Sequence, residues 1–69
     1  MQSRRYTVTI EGRLGTRFTD AFPGATIDSG NGQTRLVTGP FDQGQLHGLL
    51  TRVRDFGLEL VSVEPMPDM

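Results

Sequence analysis

Histidine is the side chain that exchanges protons most readily near neutral pH, so any acid–base chemistry in this chain begins at His47, its only imidazole. A catalytic histidine needs a carboxylate to orient the ring and a pocket that keeps water away; Tyr6, Asp42, Asp55 and Glu64 are the polar residues placed to approach it. The commoner role for a histidine at the border of an apolar helix stripe is a hydrogen bond to a loop carbonyl or a sheet-end residue. Other chemistries are closed. With no cysteine there is neither a disulfide nor a thiolate zinc site. All seven basic residues are arginine, so no lysine amine exists for a Schiff base. No residues have metal-ligand spacing, and no cofactor is expected. Gly30-Asn31-Gly32 resembles a phosphate-cradling turn, but a strand and not a helix follows it, so it reads as a hairpin loop.

The elements that would position His47 follow from periodicity. Arg4 to Leu14 alternates, with Tyr6, Val8, Ile10 and Leu14 on one side and Arg5, Thr7, Thr9, Glu11 and Arg13 on the other. Thr16 to Phe22 places Phe18, Ala21 and Phe22 at helical spacing until Pro23-Gly24 stops it, which predicts one or two helical turns. Ala25 to Asp28 and Gln33 to Phe41 are two strands of a hairpin. His47 itself lies in the strongest local pattern. Asp42 and Gln45 form a capping box, Phe41 and Leu46 a hydrophobic staple, and Leu46, Leu49, Leu50, Val53 and Phe56 an apolar stripe. Gly57 ends that helix in the left-handed position, and Leu58 to Glu64 is a last strand. Pro65 and Pro67 set the tail apart.

The order strand, short helix, strand, strand, helix, strand predicts one α+β domain over residues 1–69, with an ordered core of about 4–64. The expected architecture is a ferredoxin-like sandwich with a stunted first helix: an antiparallel four-stranded sheet in the order 4-1-3-2, helices on one face. A three-strand meander followed by helix and strand is the alternative.

Below roughly 70–80 residues a single apolar core seldom supplies more than about 3–5 kcal/mol of net stability, so a chain of 69 residues is expected to associate. Helices on one face leave the other uncovered. Strict alternation would put Thr7, Thr9, Glu11, Thr26, Asp28, Arg35, Val37, Glu59, Val61 and Val63 there. Val37, Val61 and Val63, with Arg35 and Thr9, are therefore the expected binding residues, and a second copy of the chain the expected cover, giving a homodimer. The same face lacks the aromatic rings on which single-stranded RNA stacks, and the net charge of −1 offers no bulk attraction for nucleic acid or an anionic membrane. No apolar run reaches membrane-spanning length and no leader is visible, which points to the cytoplasm.

The stretch Asp42-Gln43-Gly44-Gln45-Leu46-His47-Gly48-Leu49-Leu50, continued by Arg54-Asp55-Phe56-Gly57-Leu58 and Leu60-Val61-Ser62-Val63, resembles a signature shared by short actinobacterial proteins: D-Q-A-x-L-H-G-L-L, then R-D-L-G-L, then L-x-S-V. Gly44 replaces the alanine of that pattern and Phe56 the leucine. The resemblance covers mainly the C-terminal third. It implies the same fold and a bacterial origin, and it carries no catalytic residue with it; the arginine-only basic set separately suits a high-GC genome.

Three functional readings follow. The first is a homodimeric, non-catalytic binding or accessory module for a small molecule or a protein, using the open sheet face or the pocket between sheet and helix. The second is a small cofactor-free enzyme of the dimeric α+β-barrel kind with His47 as general acid or base. The third is a metabolite-sensing regulatory module, which would need a fused effector.

Overall fold

A computed structural model describes residues 3–14 and 21–67 of the chain. Alternation makes Tyr6–Glu11 the first strand, β1, with Tyr6, Val8 and Ile10 buried. It ends at Glu11, short of the expected Leu14, because Gly12 adopts φ +93° and turns the chain. Leu14 donates its amide to the Thr34 hydroxyl instead of extending the ladder. The helix expected over Thr16–Phe22, and Phe18 with it, lies outside the described residues except for Ala21 and Phe22. Phe22 is fully buried.

Strands β2 (Ala25–Gly30) and β3 (Gln33–Thr38) are joined by a two-residue turn in which Asn31 and Gly32 have φ +55° and +76°. Two positive φ values in succession give a turn whose twist matches the flanking strands. Pairing therefore continues to Gly30 and Gln33, beyond the Asp28 end read from the sequence. β3 stops before Phe41 because Gly39 bonds the Gly24 carbonyl and Pro40 has no amide to give. Phe41 makes an isolated bridge with Arg4.

Helix α1 (Gln43–Asp55) begins with the expected reciprocal cap: the Gln45 amide donates to Asp42 Oδ1 at 2.8 Å, and the Asp42 amide donates to Gln45 Oε1 at 2.9 Å. It ends in a Schellman motif. Gly57, at φ +71°, donates to the Arg54 carbonyl, and Leu58 donates to that of Val53. Leu46, Leu49 and Val53 point into the core.

The last strand, β4 (Leu60–Pro65), completes an antiparallel sheet in the order β2-β3-β1-β4. β1 pairs with β3 and β4 and not with β2, so the strands do not form a meander. The protein is thus an α+β domain: an open four-stranded antiparallel sheet with α1 on one face. Phe22, Leu36 and Phe41 join the inward side chains of β1 and α1 in the core. Two hydroxyls are buried with them. Thr38 accepts the Tyr6 amide and donates to the Gly39 carbonyl, while Thr34 donates to the Gly12 carbonyl at 2.8 Å.

Phase along β4 differs from the expectation. Thr9 pairs with Ser62 but Ile10 pairs with Leu60, so Val61 is an extra, unpaired residue: a bulge. Strict alternation fails across it. Val63 stands opposite Val8 and packs against the core, which corrects its expected place on the open face.

Candidate functional site

Core residues of α1 recur as Leu46, Leu49 and Val53, so one position further round the helix lies a second stripe: His47, Leu50, Thr51 and Arg54. That stripe faces β4. Between them runs a groove of about 510 Å³ lined by His47, Leu50, Thr51, Val53, Arg54, Leu58 and Leu60. The Schellman turn supplies Leu58 to its wall, because it folds the chain back at Gly57. The bulge then holds Leu60 on the helix side while leaving it 44% exposed.

Chemically the groove is an apolar trough with polar groups on its helix rim. Leu50, Val53, Leu58 and Leu60 supply the trough, and His47, Thr51 and Arg54 the rim. The Thr51 hydroxyl donates to the His47 carbonyl at 2.9 Å, so it is spent on the helix backbone. No carboxylate lines the groove among the described residues, and Asp42, Asp55, Tyr6 and Glu64 do not reach its wall. Tyr6 instead accepts from Gln43 Nε2 at 3.5 Å. His47 therefore borders a pocket of suitable size without the acidic partner that general-base catalysis needs. Among the described residues no three of His, Asp and Glu gather as a metal cluster would require.

The opposite face of the sheet carries Thr9, Arg35 and Val37 of the other expected site residues. Ladder partners share a face, so Thr7 lies beside Val37 and Glu64, and Thr9 lies between Arg35 and Ser62. Thr26 and Asp28 extend the row across β2. Two shallow depressions, of about 170 and 340 Å³, share Thr9 and Arg35. The sequence therefore grouped Thr9, Arg35 and Val37 rightly as neighbours. Val37 is nevertheless the one apolar side chain that ladder pairing puts there; Ser62 and Glu64 occupy the β4 positions assigned to valines. The face is polar.

Exposed apolar surface lies elsewhere. Among the described residues Phe56, Leu60 and Val61 are the large hydrophobic residues left most exposed, at 47%, 44% and 47%; Phe56 follows α1 directly, and Leu60 and Val61 open β4. Phe56 also meets Phe22 edge to face at 5.9 Å between ring centres. Sequence reading missed Leu50, Thr51, Arg54 and Leu60 as a set. The signal that could have found them is their spacing with His47, which marks a helix flank beside the core stripe.

Among the described residues the protein is an open-sheet α+β domain with one helix and an apolar groove at one sheet edge. The chain belongs to the family described as a domain of unknown function, DUF8691, which it matches over residues 5–64. No curated protein and no solved structure matches it. No helix among the described residues is long and apolar enough to cross a membrane.

Proposed function

We propose that this protein is a homodimeric binding module that performs no bond chemistry of its own, built on a ferredoxin-like sandwich with a short first helix. The strand order and the helix crossover from β3 to β4 support that architecture. Of the two candidate surfaces, the pocket between sheet and helix is the working one. One observation carries this choice: Leu60, among the most exposed large hydrophobic residues described, lines the apolar groove together with Leu50, Val53 and Leu58, whereas ladder pairing leaves Val37 alone among polar residues on the open face. Scattered apolar residues are normal on a surface, but one that lines an apolar trough marks a place of contact. Sedimentation equilibrium across micromolar to millimolar concentrations tests the dimer directly. A mass of twice 7.6 kDa is expected, and a monomer throughout would end the reading.

A second reading, a cofactor-free enzyme using His47, draws on one feature: the residue sits on the wall of a groove of about 510 Å³. It predicts that a structure of the dimer encloses this space and that His47→Ala abolishes the activity of whatever reaction is assigned. Binding without chemistry predicts that His47→Ala leaves the protein's role intact.

A further inference from the structure

We infer that the α1–β4 groove takes a small amphipathic anion: a free carboxylate with a straight apolar chain, its head held by Arg54 at the rim and its chain lying in the trough. The inference rests on the reading of this groove as the working surface and names the ligand class that fits it.

Charge is the first argument. Two arginines stand in the last turn of α1, and they are used differently. Arg52 donates to the Ala21 carbonyl at 3.2 Å and is not on the groove wall. Arg54 lines the groove and has no hydrogen-bond or ion-pair partner among the described residues. Asp55 and Glu59, the acids nearest to it in sequence, are not on that wall either. The backbone oxygens that would oppose an anion at this end of the helix are occupied: the carbonyls of Arg52, Val53 and Arg54 accept from the amides of Phe56, Leu58 and Gly57. A guanidinium at the mouth of an apolar trough is complemented by a carboxylate, which it can hold through two parallel N–H donors. A single cation calls for a singly charged head, which favours a carboxylate over a phosphate.

The trough sets the rest of the ligand. Leu50, Val53, Leu58 and Leu60 make it aliphatic, and an apolar chain seated there takes the exposed part of Leu60 out of water. Thr51, midway along the helix rim, has its proton committed to the His47 carbonyl, so the trough asks for no polar group along the chain. His47 and Arg54 are seven residues apart, about 10 Å along the helix axis, which is close to the length of an extended octyl chain. A volume of about 510 Å³ falls within the range of small-molecule sites. The open face does not combine these features: Arg35 stands opposite Asp28 in the β2–β3 ladder, and Val37 is the one apolar residue beside it.

Nuclear magnetic resonance titrations of the isotope-labelled full chain with sodium octanoate, 1-octanol and octylammonium test this. Octanoate should shift the amides of Leu50, Arg54, Leu58 and Leu60 and bind roughly fivefold more tightly than octanol, with octylammonium the weakest of the three. Arg54→Gln should lower octanoate to the affinity of octanol and leave octanol unchanged, whereas Arg52→Gln should keep the preference. Leu60→Glu, which puts a carboxylate into the trough at an exposed position, should lose octanoate binding. Circular dichroism melts check that each variant is folded; should Leu60→Glu not fold, Arg54→Gln still decides. Equal binding of octanoate and octanol, or a preference that survives Arg54→Gln, overturns the anion while the groove stands as the working surface. Groove amides that respond to protein concentration and to none of the probes give the groove to a second copy and overturn the inference alone, as does a complete lack of shifts. Shifts confined to the open face overturn both the inference and the choice of the groove.

Discussion

Val63 stands across from Val8 in the β1–β4 ladder, so the two side chains share the face that α1 covers. Val63 is half-buried against the core, whereas Val61, two residues earlier, is the unpaired bulge residue and is largely exposed. Two valines that look alike in sequence therefore have different energetics. Val63→Ala should lower the unfolding free energy of the chain by about 1–2 kcal/mol. Val61→Ala should change the stability of the isolated chain by no more than about 0.5 kcal/mol. Urea titrations at concentrations low enough to hold the protein monomeric measure both. Equal losses at the two sites would contradict the bulge register.

The Thr34 hydroxyl ties three segments together. It donates to the Gly12 carbonyl, accepts from the Leu14 amide at 3.0 Å and lies 3.3 Å from the Ser29 hydroxyl, all around a residue with no exposed surface. Thr34→Val preserves shape but leaves the part-buried Leu14 amide and Gly12 carbonyl without their partner, and should cost about 1–2 kcal/mol. Thr34→Ser keeps the hydroxyl and should cost about 1 kcal/mol for the lost methyl. Thermal or denaturant unfolding of the two variants gives the comparison, and the serine variant being the less stable would refute this account of the site.

Asp42 and Gln45 satisfy two amides at the start of α1, and no other acidic side chain lies in its first turn. Asp42→Ala removes one half of that reciprocal pair and should destabilise the fold by about 1 kcal/mol. Asp42→Asn, which still accepts from the Gln45 amide, should retain most of the stability. Far-ultraviolet melts of the two variants separate the hydrogen bond from the charge.

Gly48 lies mid-helix beside a further cleft, which is lined by Phe41, Leu49 and Arg52 among others. A Cβ built there meets nothing within 4 Å. Gly48→Ala should therefore stabilise the chain by up to about 1 kcal/mol through helix propensity. Because this flank of α1 faces away from the β4 groove, the substitution should leave octanoate binding unchanged. A stabilised chain that no longer binds octanoate would move the site to the Gly48 side of the helix.

Short-range chemistry was legible in the sequence. The capping box, the Gly57 stop, the Asn31-Gly32 turn and the inward faces of β1 and β3 depend on residues a few positions apart, and a periodicity of 3.6 or 2 reports them without knowledge of partners. Strand order could also be argued from connectivity. The phase of β4 could not. Whether a strand carries an extra residue depends on how its backbone groups meet a neighbour some fifty positions away in the chain, and Leu60-Val61-Ser62-Val63 alternates acceptably in either phase. Only the assembled sheet chose one. By inserting the bulge at Val61 it turned Val63 inward, left the open face polar and kept Leu60 half-exposed in the groove beside α1. The sequence by itself thus determined which elements form and where they stop, because local hydrogen bonds and side-chain spacing decide that. Tertiary structure decided which edge of the protein remains apolar, because that depends on register between strands distant in the chain.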